Sequence, residues 1–79
     1  MKNVDLKNKA VSFLTAEHRK LVVPEYKKSY SAKFVADQAG GYAGAIGHVA
    51  KQIVADMKAN GIKCSYNNST SPATFTLHA

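Results

Sequence analysis

Several residue types are scarce in this chain. Its 79 residues include a single cysteine, Cys64, and no tryptophan. One cysteine excludes an internal disulfide framework and is typical of a reducing compartment, so we expect a cytoplasmic protein. The alternation of Cys64 with its neighbours predicts a buried thiol rather than a nucleophile.

Long apolar runs are also absent. No segment approaches the roughly 20 apolar residues that cross a bilayer. The start of the chain, MKNVDLKNKAVSFL, is charged and lacks the apolar centre of a signal peptide. We therefore expect no membrane span and no secretion signal.

Acidic residues are few. Five Asp and Glu stand against eleven Lys and Arg, which gives a net charge of +6 and a pI near 9.6. Such a balance favours a polyanionic partner, which can be nucleic acid, an acidic protein or an anionic membrane surface.

The residues that carry enzyme chemistry are not clustered. The five acids are scattered along the sequence and suggest no carboxylate pair for acid–base catalysis. His18, His48 and His78 fall on different predicted elements, with no cysteine or acid at metal-ligand spacing. We expect no enzyme activity, no metal and no cofactor.

Hydrophobic periodicity predicts three helices. Apolar residues recur at helical spacing from residue 4 to about 19, which predicts the first. The second has the body AKFVADQA, with Ser29 or Ser31 as its cap and Gly40 and Gly41 at its end. The third extends from about residue 42 to 59 and ends at Asn60 and Gly61. Its predicted buried stripe is Ile46, Val49, Ala50, Ile53 and Met57.

After Gly61 the period changes from 3.6 to 2. Two alternating runs surround the polar loop NNSTSP, which predicts a two-stranded β-hairpin over 62–78. Earlier in the chain, LVVPEY favours extended backbone, and Pro24 restricts it to a linker or a short edge strand near 21–23. The whole chain, 1–79, is therefore predicted to be one α+β domain.

The segment VADQAGGYAGAIGHV, residues 35–49, has the spacing of a helix-turn-helix unit. Ala36 is small where two helices cross, and Gly40 can adopt the left-handed conformation that ends the first helix. Ile46 and Val49 lie on one face of the next helix and pack back onto the first.

This pattern, followed by a hairpin, resembles the winged helix-turn-helix family over most of the chain. The resemblance implies that the helix 42–59 enters the major groove of double-stranded DNA and that the hairpin 62–78 is the wing. It implies a small transcriptional regulator, which in a bacterial or phage setting would associate with the nucleoid.

The resemblance also implies which side chains contact DNA. On the third helix Tyr42, His48, Lys51 and Gln52 face outward, and Gln52 suits an adenine edge. On the wing the candidates are Lys63, Asn67 and Asn68, with Ser69 and Thr70 beside them. Near the second helix the candidates for phosphate contact are Lys27, Lys28 and Lys33.

The start of the third helix, YAGAIG, offers few side chains that read bases. Two alternatives therefore remain: a protein-interaction module on the same scaffold, which inhibits or recruits a larger complex, and an RNA- or ribosome-binding protein. The sequence also leaves open a homodimer, formed through the first helix or through the final strand, Thr74–Leu77.

Overall fold

The computed structural model describes residues 3–21, 27–69 and 73–78. Three helices, α1 (Asn3–His18), α2 (Ala32–Ala39) and α3 (Ala43–Ala59), pack on one antiparallel sheet. Its strands are β1 (Lys27–Ser31), β2 (Lys63–Asn67) and β3 (Thr74–His78). They lie in the order β1-β3-β2, so the last strand of the chain is central. The predicted α+β class is confirmed.

The prediction of a two-stranded sheet was wrong, because a third strand, β1, pairs with β3. The sequence signal at this strand is weak, since only Tyr30 of KKSYS is buried. The short strand predicted near 21–23 is not at Leu21, which lies in irregular backbone. Val22, Val23 and the rest of 22–26 lie outside the described residues.

The caps explain where α2 begins and ends. Ser31 is the cap, because its side chain accepts a hydrogen bond from the amide of Phe34 at 3.0 Å. Gly40 has a φ of 80°, in the left-handed region. The next amide, on Gly41, donates to the carbonyl of Ala36 at 2.9 Å. This αL ending turns the chain into α3 within three residues.

The end of α3 also follows the prediction. Gly61 has a φ of 76°, and the amide of Ile62 donates to the carbonyl of Met57 at 2.9 Å. Ile62 and Met57 then lie in the same buried core. The cap therefore leads the chain directly into β2.

The core lies between the three helices and one face of the sheet. Phe75 and Leu77 of β3 are fully buried there, and the predicted stripe of α3 is buried as well. The helix-crossing residue Ala36 is completely buried with Ile46, as the spacing predicted. On the far side, the ring of Phe13 meets those of Tyr30 and Phe34 edge-on, at 5.9 and 5.7 Å between centroids.

None of the helices, over the described residues, is long and apolar enough to cross a membrane.

Candidate nucleic-acid interface

The exposed face of α3 and the end of β2 border one groove. His48, Lys51 and Gln52 are exposed on α3, and none of their side chains makes a hydrogen bond or ion pair with another described residue. Asn68, which follows β2, lines the same groove. The complete lining is Gly44, Gly47, His48, Ala50, Lys51, Gln52, Val54, Tyr66 and Asn68. Four predicted site residues are thus brought together.

Two glycines leave the backbone of α3 bare on this face. Gly44 and Gly47 are both exposed and lie one turn apart. A Cβ at Gly47 would meet only the Tyr66 hydroxyl, at 3.8 Å, which is an ordinary contact. A Cβ at Gly44 would lie 3.3 Å from Cε2 of Tyr42, whose side chain is 73% exposed. Packing within the chain therefore requires neither glycine.

Tyr42 stands at the start of α3 and borders this face rather than the groove. It is the N-cap residue, in extended backbone, and its side chain makes no capping hydrogen bond. One edge of its ring lies against Gly44. An exposed aromatic ring is therefore placed beside the bare turn of the helix.

The predicted wing residues divide between the two ends of β2. Asn67 lies at the hairpin end, where its Oδ1 accepts hydrogen bonds from the amide and the hydroxyl of Ser69, at 2.9 and 2.6 Å. Asn67 therefore shapes the turn, while Asn68 beside it faces the groove. Lys63 is at the opposite end of the strand, roughly 13 Å away at the usual rise per residue. Thr70 lies outside the described residues.

The predicted phosphate-contacting lysines do not join the groove. Lys27 and Lys28 lie on β1, which β3 separates from β2. The Nζ of Lys28 stands 5.5 Å from the ring centroid of Tyr30, in a cation–π contact. Lys33 is exposed in the first turn of α2. All three lysines are exposed, and none of them lines the groove.

No acidic side chain of the described residues lines the groove, and two of these acidic side chains form ion pairs elsewhere. Asp56 on α3 accepts a hydrogen bond from Lys7 of α1 at 2.5 Å. Glu17 pairs with Lys20 at 2.7 Å, and the hydrogen bond from Lys20 holds the pKa of Glu17 below its usual value. The groove beside α3 has no carboxylate among its lining residues.

The remaining candidates for chemistry are isolated. Burial raises the pKa of the Cys64 thiol to about 11, so the group is protonated at neutral pH. Within the described part of the chain, no group of three or more His, Cys, Asp or Glu side chains could hold a metal ion.

Sequence reasoning missed four groove residues, Gly47, Ala50, Val54 and Tyr66. Gly47 could have been found, because it lies three residues after Gly44 on the face that carries His48 and Lys51. Tyr66 was predicted to point inward with Ile62 and Cys64, and it is half-buried on the inner face. Its hydroxyl nevertheless reaches the exposed face of α3 near Gly47. The alternation of residues along a strand does not reveal how far a long side chain extends.

No protein-family model, no curated protein and no solved structure matches this chain.

Proposed function

We propose that this chain is a small DNA-binding domain of the winged helix-turn-helix type and acts as a transcriptional regulator. In this proposal α3 enters the major groove, and the β2–β3 hairpin contacts the neighbouring backbone as the wing. The protein has no catalytic role in it. The observation that carries the proposal is the groove that joins His48, Lys51 and Gln52 of α3 to Asn68 of the hairpin.

The chemistry of this groove suits duplex DNA. Lys51 can donate to a guanine edge or a phosphate, and the amide of Gln52 can pair with an adenine edge. Asn68 can position the wing on a phosphate or sugar. Because these side chains have no partner among the described residues, they need not give up an internal hydrogen bond to bind.

The bare backbone and the charge support the same partner. Gly44 and Gly47 allow another surface to approach α3 more closely than a helix with larger side chains would. The described residues that line the groove include no carboxylate that would repel phosphate. The order of helices and strands along the chain is also the order on which the family resemblance rests.

A protein partner is the second candidate, and the same glycines favour it. Close approach to a bare helix suits the backbone of another protein as well as a base edge. A basic surface would then select an acidic partner. The two candidates differ in their salt dependence and in their response to free duplex.

The test is a binding titration with a pool of random duplex DNA, followed by selection of a preferred sequence. We expect binding by the wild type that weakens steeply as salt rises, because each phosphate contact releases counterions. The variant Lys51→Ala/Gln52→Ala should lose about 1–3 kcal/mol for each base pairing removed. Affinity is measured by fluorescence anisotropy on the selected duplex.

The matched control is Asn8→Ala/Lys9→Ala on the exposed side of α1, which removes the same pair of functional groups elsewhere. It should leave sequence preference unchanged. Equal losses in the two double variants would remove α3 from the recognition role. Failure of the wild type to bind any duplex at low salt would favour the protein partner, and preference for a structured RNA competitor would favour RNA.

A further inference from the structure

One edge of the sheet is left open at β2. Its partner β3 occupies one side, and no described strand pairs with the other. An unpaired edge presents a row of backbone N–H and C=O groups that can accept another strand. By contrast, β3 is bonded on both sides. The final strand Thr74–Leu77 therefore has no free edge to which a second copy could add a strand.

The helical layer covers β2 incompletely. Cys64 and Tyr66 on its inner face are only half-buried, whereas Phe75 and Leu77 beside them on β3 are fully buried. A groove runs along this edge. Val54, Ile62 and Cys64 supply its apolar lining, and Lys58, Lys63 and His78 border it. Apolar surface thus lies next to the open hydrogen-bonding edge.

The other edge strand, β1, is better protected. It carries Lys27 and Lys28, and charged side chains, lysine especially, discourage pairing between sheet edges. Its inner residue Tyr30 is already buried. In addition, α2 begins directly after Ser31, so β1 cannot extend further at that end. The strand β2 carries one lysine, Lys63, and no described strand pairs with its outer edge.

We propose that β2 is the dimerisation edge, and that a second copy of this chain adds its own β2 in antiparallel register centred on Ser65. In this register Ser65 faces Ser65 of the second copy, Cys64 faces Tyr66, and Lys63 faces Asn67. No like charges stand opposite each other. The half-buried Cys64 and Tyr66 of each copy gain apolar cover, which stabilises the contact.

This inference does not depend on nucleic acid. Val54 lines both this groove and the groove beside Gly47, so the contact borders the face proposed for DNA. The experiment is therefore performed without DNA. Its failure would leave the proposal for α3 unchanged.

The first measurement is sedimentation equilibrium from micromolar to millimolar protein. We expect reversible association of the wild type. The variant Ser65→Lys places two ammonium groups opposite each other and should raise the dissociation constant up to roughly fivefold. Its matched control is Ser29→Lys, because Ser29 and Ser65 are both exposed and both pair with Thr76, on opposite edges of the sheet.

A second measurement does not depend on how well a charged variant folds. In a Cys64→Ala background, Ser65→Cys should form an intermolecular disulfide when copper phenanthroline oxidises the protein, because directly opposed Cα atoms lie within disulfide range. The control Ser29→Cys in the same background should cross-link much less. A wild type that stays monomeric, or equal behaviour of the two edges in both measurements, would overturn the proposal.

Discussion

Two pairs of glycines lie close together in sequence but have different relations to the fold. Gly40 and Gly41 form the turn between α2 and α3, and both are fixed by geometry. Gly40 needs a positive φ of 80°. A Cβ on Gly41 would come within 2.6 Å of Cδ1 of Leu6, which is buried in the core. Larger residues at this turn therefore conflict with the fold itself.

Gly44 and Gly47 lie in the exposed face of α3, where no such conflict exists. Glycine inside a helix is less stable than alanine by roughly 0.5–1 kcal/mol. Two such glycines occur within one turn of α3, so the stability of the helix is lowered twice on the face that also carries His48 and Lys51. The difference teaches that the fold requires the turn glycines, whereas packing in the described residues requires neither helix glycine, and only the proposed binding face would use them.

The largest effect is expected at the turn, from Gly41→Val. The added side chain must displace Leu6 within a closely packed core, and such overpacking costs about 1–3 kcal/mol. The free energy of unfolding is measured by urea denaturation monitored by circular dichroism. The control is a double-mutant cycle: in the Leu6→Ala background, where the smaller side chain leaves room, adding Gly41→Val should cost less than it does in the wild type. If the single variant is as stable as the wild type, the packing of Leu6 against the turn is not as described.

The next prediction concerns Gly47→Ala and has two parts of opposite sign. Its Cβ meets only an ordinary contact, so helix propensity should raise the free energy of unfolding by about 0.5–1 kcal/mol. At the same time the methyl group should weaken binding to the selected duplex, because it keeps the bound surface away from the helix. Unfolding and anisotropy titrations on the same sample measure both.

The reverse substitution Ala55→Gly provides the matched control on the same helix. Ala55 is exposed on α3 but does not line the groove. The substitution Ala55→Gly should lower the free energy of unfolding by a similar amount and leave the affinity for the selected duplex unchanged. A Gly47→Ala protein that is more stable and binds DNA as well as the wild type would remove close approach at this turn from the proposal.

Much of this fold follows from local signals in the sequence. The ends of the helices were predicted because Ser31, Gly40 and Gly61 act within a few residues of the backbone that they cap. The inner face of β3 was predicted because Phe75 and Leu77 alternate with polar residues. Such signals need no knowledge of what the element packs against.

The third strand and the extent of the groove could not be predicted in the same way. The strand β1 has one buried residue, Tyr30, so its sequence looks like a polar connection until β3 supplies its hydrogen bonds. The placement of Asn68 and Gln52 on one groove depends on how the hairpin packs against α3, which is a contact between distant parts of the chain. That Lys51 lines the groove and Lys27 does not is likewise decided by contacts between distant parts of the chain.

The smallest effect is expected from Gly44→Ala. Helix propensity again favours alanine, but the new Cβ would lie 3.3 Å from the ring of Tyr42 and would displace it slightly. Because that side chain is 73% exposed, it can move at little cost, and the net gain in stability should be less than at Gly47. In the Tyr42→Ala background the same substitution should recover the full gain, which a double-mutant cycle in urea measures. If Gly44→Ala adds the same stability with and without the ring, then Tyr42 does not rest on the helix, and its position beside the glycine face is set by the backbone alone.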